Sequence, residues 1–324
     1  MNSQSERQKW ITTLAGLAIF AAAAYALHNA FAGHSFDEIL AEFRKRSFDQ
    51  IASALALTAL SYFVLMGYDL LGLHYIQKSV SVPRAMLTSF LGFTFANNLG
   101  FLGGAGLRLR FYVDLGLTSF EVGKLILFSA VTFWLGFASL GGVLFLFDPP
   151  QAPAAWMTPH LIHGFGGLLA FLVSCYLGLG RKRWSEFTFL GKKFVLPNWR
   201  VRLAQAGIAS LDWIVASSVL YVLLPVQISF PEYLAAFLLA LILGLASNVP
   251  GGLGVFESVL IYMLPSGAQD EAAILASLLM FRLIYYVLPL SVATVTVAGH
   301  ELLNYSRRSN ALVRMPKTES KPKP

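Results

Sequence analysis

Arg282 stands in the middle of the apolar run Leu278-Leu279-Met280-Phe281-Arg282-Leu283-Ile284-Tyr285-Tyr286, Asp212 in the middle of 203–224, and Glu257 three residues beyond Gly254. A charge at the centre of a bilayer costs roughly 2.5–3.5 kcal/mol on insertion scales, so a residue kept there has a partner or a task. Two outcomes fit these residue types. A guanidinium can bind a phosphate bidentately, so Arg282, or Arg108 with Arg110, would grip a lipid phosphate while Glu257 or Asp212 receives a cationic group. The plainer outcome is an internal ion pair that fixes helix packing. Arg108 and Arg110 also suit a role as interfacial charges, and Asp69, nearer the end of its segment, is expected to reach the interface. Tyr285, Tyr286, Trp134 and Trp213 read as packing residues or interfacial anchors.

Other chemistries find no footing. His28, His74, His160 and His163 lie near segment ends without ligand spacing, and Cys175 is the only cysteine, so neither a metal nor another cofactor is expected. The nucleotide-binding pattern Gly-x4-Gly-Lys-[Ser/Thr] fails around Lys124, and the Gly-x-Ser-x-Gly and His-Glu-x-x-His patterns are missing. The reading is therefore not an enzyme.

The elements that must hold these residues are membrane helices. At 56% hydrophobic and 13% charged residues, with a mean hydropathy of +0.63, the chain is more apolar than a soluble domain, whose apolar share is about 45–50%. Full-length apolar segments read at 10–32, 50–73, 120–147, 160–180, 203–224 and 271–299, with shorter pieces at 86–102, 233–249 and 253–264. The first could pass for a signal peptide, but its length of about 23 residues exceeds a signal core and reads as a retained anchor. The fold class is an all-α polytopic bundle, with a transmembrane domain over 1–306 and a disordered cytoplasmic tail over 307–324. A net charge of +7 sits in the loops, so it reports topology rather than nucleic-acid binding.

Two glycine-rich breaks interrupt the apolar pattern. Asn97-Asn98-Leu99-Gly100-Phe101-Leu102-Gly103-Gly104-Ala105-Gly106 is followed about 150 residues later by Ser247-Asn248-Val249-Pro250-Gly251-Gly252-Leu253-Gly254. Broken segments at corresponding places in two halves point to a transport site near the midplane. Loop charge gives their direction. Residues 181–202 carry Arg181, Lys182, Arg183, Lys192, Lys193, Arg200 and Arg202, and belong in the cytoplasm with both termini. The loops 148–159, 225–232 and 265–270 hold no Lys or Arg, so 233–264 should enter and return from outside. Lys78 and Arg84 before 86–107, and Arg108, Arg110 and Lys124 after it, make that stretch return to the cytoplasmic side.

This scheme is an inverted repeat, with halves at about 10–147 and 160–299, of three crossings and a re-entrant hairpin each. Gly103-Gly104-Ala105-Gly106 matches Gly251-Gly252-Leu253-Gly254, and Glu121-Val122-Gly123-Lys124-Leu125 roughly matches Glu271-Ala272-Ala273-Ile274-Leu275. The bland alternative is two ordinary crossings with kinks. Either way a polar cavity should border the irregular backbone, since lipid cannot satisfy it. Loop 33–49 resists: it should lie outside yet carries Arg44, Lys45 and Arg46.

The stretch from Asn98 through Gly103-Gly104-Ala105-Gly106-Leu107-Arg108-Leu109-Arg110-Phe111-Tyr112 to Thr132-Phe133-Trp134-Leu135-Gly136-Phe137 resembles the transmembrane region of the lysylphosphatidylglycerol synthases, also called multiple peptide resistance factor. Pro250-Gly251-Gly252-Leu253-Gly254-Val255-Phe256-Glu257 is similar to that family's second hallmark. The resemblance implies a bacterial inner-membrane protein that flips aminoacylated phosphatidylglycerol between leaflets. The cytosolic synthase domain of bifunctional members is not seen. The alternatives are the membrane subunit of a split synthase system and an accessory protein of hopanoid or envelope lipid assembly. The partners considered are a lipid substrate, a separate synthase protein and a second copy of the chain.

Overall fold

The computed structural model describes residues 36–150, 157–178, 186–189, 192–246, 254–264 and 271–313. The first expected crossing, 10–32, lies outside them. Ten helices follow in order: α1 (Phe36–Arg44), α2 (Phe48–Tyr75), α3 (Val82–Asp114), α4 (Ser119–Phe147), α5 (Pro159–Gly178), α6 (Trp199–Tyr221), α7 (Phe230–Ala246), α8 (Val255–Met263), α9 (Glu271–Phe281) and α10 (Leu288–Val313). A π-helical segment, Arg282–Val287, joins α9 to α10 into one rod. Six helical stretches have the length and apolarity to cross a bilayer. The fold is an all-α polytopic membrane bundle, decorated between α5 and α6 by one small β-hairpin, β1 (Glu186–Phe189) with β2 (Lys192–Val195), in the basic loop.

Local sequence sets the helix starts. Ser47 and Gln50 form a reciprocal capping box before α2, and Thr118 and Glu121 do the same before α4, each satisfying two backbone donors that a helix start leaves open. Asn198 accepts from the amide of Val201 at 3.0 Å to open α6. The core is built where α2, α4, α6 and the α9 rod meet, with Phe137, Ala209, Val219, Leu220 and Phe281 almost wholly buried.

α3 has the length and apolarity of a crossing, but it does not run straight. Gly100 has φ 78° and ψ 175°, a region open essentially to glycine alone. Beyond it the chain doubles back. A Cβ on Gly92 would overlap the side chain of Arg108, and one on Gly104 would overlap the Gly92 carbonyl. In a straight helix residues 92 and 108 would stand about 24 Å apart. α3 is thus two antiparallel arms, 82–99 and 101–114, touching through Gly92 and Gly104. Tyr112 closes the base with a 3.4 Å hydrogen bond to the Ala85 carbonyl.

Contacts between helix ends define the two ends of the bundle. At one end Lys78 pairs with Glu121 at 2.9 Å, Arg202 donates to the Tyr176 carbonyl at 2.6 Å, and the rings of Phe111 and His300 meet at 5.5 Å. This basic end holds both ends of the α3 hairpin. At the other end Gln50 donates to the Val222 carbonyl at 3.3 Å, Tyr221 to the Ile228 carbonyl at 2.8 Å, and Ser277 to the Leu223 carbonyl at 2.7 Å. The chain leaves that end at α7 and is back there at α9. α7 and α8 pack together between these points, with Phe237 and Phe256 rings 5.4 Å apart.

One basic residue of loop 33–49, Arg46, has a structural reason. Arg46 donates to the Ala273 carbonyl at 3.1 Å and to Ser277 Oγ at 3.0 Å, pinning α1 and the start of α2 to α9, while Lys45 pairs with Glu42. Arg46 is held by protein contacts and so does not report sidedness. The last helix continues to Val313, past residue 307 where the sequence reading starts a disordered tail.

Candidate functional site

A cavity of about 370 Å³ opens beside the α3 turn, walled by both α3 arms, α4, α6, α7, the first turn of α8 and the π segment. Arg108, Asp212 and Arg282 line it, as do Asn97 and Gly104. Three of the five residues assigned to substrate from sequence are therefore gathered in one place. Its rim is apolar: Phe101 at the α3 turn is 61% exposed, Leu245 near the end of α7 48%, and Trp134 46%.

Arg282 is buried and already engaged. Its Nε and Nη2 donate to Glu257 Oε1 at 2.9 and 2.6 Å, and its guanidinium lies over the rings of Tyr286 and Phe256, 4.9 and 5.4 Å from their centroids. Glu257 sits in the first turn of α8, where its other oxygen accepts from the Gly254 amide at 2.8 Å. The carboxylate thus both caps the helix that follows the second break and binds the arginine. Gly254 makes this start with φ 83°.

Arg108 has a partner that sequence reading put at the interface. Asp69 is 0% exposed, and its Oδ1 accepts from Arg108 Nη2 and, at 3.0 Å, from Ser129 Oγ, while Oδ2 accepts from Tyr112 at 2.8 Å. Arg108 also donates to Ser129 at 2.9 Å and stacks over Phe93 at 4.8 Å. Asp69 therefore does not reach the interface. It is held inside because Gly92 lets the returning arm bring Arg108 against it.

Asp212 differs. Its oxygens accept from Ser61 Oγ at 3.1 Å and Tyr68 at 3.0 Å, and Ser61 shares a 3.0 Å hydrogen bond with Tyr285. No basic side chain pairs with it among the described residues.

The π segment explains why Arg282 and two tyrosines face one space. Pro289 has no N–H to give the Tyr285 carbonyl, and Tyr62 donates to that oxygen instead at 3.1 Å. Asn98 bonds the Tyr286 carbonyl at 3.4 Å and the Thr94 carbonyl at 2.9 Å, tying the α3 tip to the rod. Such π bulges recur at functional sites. Tyr285, Tyr286, Trp134 and Trp213, read as packing residues or interfacial anchors, all line the cavity.

The remaining expected residues fall elsewhere. Arg110 is exposed, 5.9 Å from the Phe111 ring centroid, and does not line the cavity. Gly103 packs on Leu99, Gly106 faces open space, and Asn248, Pro250, Gly251 and Gly252 lie outside the described residues. The turn itself is made by Gly100, whose place between Asn98 and Gly103 was the only signal for it. Among the described residues no group of His, Cys, Asp and Glu has the makings of a metal site.

These features define a class: a polytopic helical membrane protein with a broken hairpin and buried ion pairs around an intramembrane cavity. No family model matches the chain. It is 32% identical over 319 residues to protein slr0712 of Synechocystis, covering 95% of this chain and 97% of that protein. It is also 32% identical over 256 residues to inner membrane protein YbhN of Escherichia coli K12, covering 77% of this chain and 80% of that one. The chain belongs to the family that contains slr0712 and YbhN. It is similar as well to phosphatidylglycerol lysyltransferase of Staphylococcus aureus, 26% identical over 294 residues, which are 86% of this chain but 32% of that protein.

Proposed function

We propose that this chain is a bacterial inner-membrane translocase for a phospholipid, one carrying an anionic phosphate and a cationic aminoacyl head such as aminoacylated phosphatidylglycerol. The carrying observation is the amphipathic cavity, with buried guanidinium and carboxylate groups inside and an apolar, exposed rim at Phe101, Trp134 and Leu245. A headgroup fits the first environment and acyl chains the second. The similarity to phosphatidylglycerol lysyltransferase supplies the lipid class.

The chemistry is an exchange of ion pairs. Separating Arg282 from Glu257 with nothing in return would cost about 3–5 kcal/mol. A headgroup with both signs offsets this, its phosphate taking Arg282 and its amine taking Glu257. Because Glu257 also caps α8, releasing Arg282 loosens the contact between α8 and the rod, and the two halves can rock about the site. Arg108 with Asp69 is the second pair open to the same exchange. Hairpins entering from opposite faces in an inverted repeat are part of this reading, with the basic end cytoplasmic.

The test is leaflet exchange of acyl-labelled fluorescent lysylphosphatidylglycerol in proteoliposomes, read by quenching of the outer leaflet. Arg282→Ala is expected to abolish exchange. The swapped pair Arg282→Glu with Glu257→Arg separates the readings once thermal unfolding shows it folded, because it restores an internal ion pair, without the Gly254 cap, but not the orientation of a bound headgroup. Full exchange in the swapped protein would sink the headgroup role. A second reading follows from the similarity covering 32% of the lysyltransferase: the chain serves a separately encoded synthase. Co-purification of an aminoacyltransferase with the tagged protein would favour it.

A further inference from the structure

Among the described residues, Arg282 and Arg108 each pair with a carboxylate, while Asp212 pairs with no cation. Among the described residues, the buried acids and bases around the cavity are three acids, Asp69, Asp212 and Glu257, against two bases, Arg108 and Arg282. Arg202 is also buried on α6, but ten residues earlier, about 15 Å toward the basic end. A lone ionised carboxylate inside a membrane protein is costly, and binding one proton removes that cost.

We propose that Asp212 is a proton-binding site that couples movement of the cavity to the proton gradient across the membrane. The coupling part rests on the translocase reading, whereas proton binding does not.

The groups facing Asp212 leave this role open. α2 presents Ser61 and Tyr68, with Tyr62 one residue on. The π segment presents Tyr285, with Tyr286 and the paired Arg282 beyond it. α7 brings Tyr233, whose hydroxyl is taken by the Ser217 carbonyl, and α5 brings Tyr176, on Gln205 near the basic end. α4 contributes Ser129 and Thr132, both engaged elsewhere. α3 brings Arg108 to the same cavity, held by Asp69 and Ser129, and among the described residues none of these groups pairs a positive charge with the carboxylate.

Protonation has a mechanical consequence. When Asp212 is ionised, Ser61 donates to Oδ1 and must accept from Tyr285. Once Asp212 carries the proton on Oδ1, it donates to Ser61, and Ser61 turns its own hydrogen toward Tyr285. The proton comes from solution and forms one new O–H bond on the carboxylate. The Ser61 and Tyr285 hydroxyls only rotate, Tyr285 turning its hydrogen away from Ser61, so the relay reverses direction across α6, α2 and the π segment with no covalent bond broken in it. Tyr285 is three residues from Arg282 on the same wall, so the reversal is felt where the headgroup pair is held. Asp212, by contrast, touches no group of that pair.

Two measurements test this. Infrared difference spectra of the purified protein between acid and neutral pH should contain the C=O stretch of a protonated carboxylic acid. The band should be absent in Asp212→Asn and shifted in Ser61→Ala and Tyr285→Phe. A band that persists in Asp212→Asn, or one unmoved by both neighbours, would overturn the site, and the two neighbour variants decide the matter if Asp212→Asn does not fold. In phosphatidylcholine vesicles with labelled lysylphosphatidylglycerol, a pH gradient should change the wild-type exchange rate several-fold. In Asp212→Asn and Tyr285→Phe the ratio of rates with and without the gradient should fall to one. A gradient response retained in both overturns coupling. Wild-type protein that moves no lipid overturns the translocase reading, while the infrared result still decides the proton site.

Discussion

Gly100 and the two guanidiniums show how single residues set this site. Gly100 occupies φ 78° and ψ 175°, where a side chain costs about 1–3 kcal/mol. Gly100→Ala should lower the thermal unfolding midpoint in detergent by that amount of stability, whereas Gly106→Ala, facing open space, should leave it unchanged. Equal losses in both would remove the conformational argument. Arg282, Glu257 and Asp212 were legible in the sequence because charge in an apolar run is conspicuous whatever its partner. Their pairing was not. Asp69 looked peripheral from its position along α2, and only the return of the chain at Gly100 brings Arg108 onto it. Arg110, two residues further on, shares the composition argument but is exposed, since it sits on the other side of the returning arm.

At the scale of elements, the rod α9–π–α10 carries the cavity wall, and its irregularity has a cause in Pro289. Pro289→Ala supplies an N–H for the Tyr285 carbonyl in competition with Tyr62. This should favour regular α geometry and turn Arg282 and Tyr285 relative to each other. We expect a folded protein with lipid exchange reduced at least about tenfold, a change of about 1.4 kcal/mol in the barrier. Retained exchange would show that the π segment does not matter. Sequence patterning found nearly every apolar stretch, because 20-residue runs leave few alternatives. It could not find the π segment or the β-hairpin at 186–195, which depend on hydrogen bonds to neighbouring elements rather than on periodicity.

At the scale of the whole molecule, contacts put the α3 hairpin at the basic end and the α7–α8 unit at the other. With Cys175→Ser as background, Ser79→Cys and Ser119→Cys should react with a membrane-impermeant maleimide from one side of the vesicle. Asp148→Cys and Gln227→Cys should react from the other side. Labelling of Ser79→Cys and Ser119→Cys from opposite sides would make α3 a single crossing and overturn the hairpin. The sequence by itself determined that the chain is a helical membrane protein, where its breaks lie and which charges are out of place, since hydropathy, glycine and loop charge act locally. Only the tertiary structure decided which charge meets which. Arg282 with Glu257 and Arg108 with Asp69 are contacts across 25 and 39 residues, and among the described residues Asp212 bonds only the hydroxyls of Ser61 and Tyr68. Partners at such distances are set by how helices pack and where the chain turns back, and no local pattern encodes that.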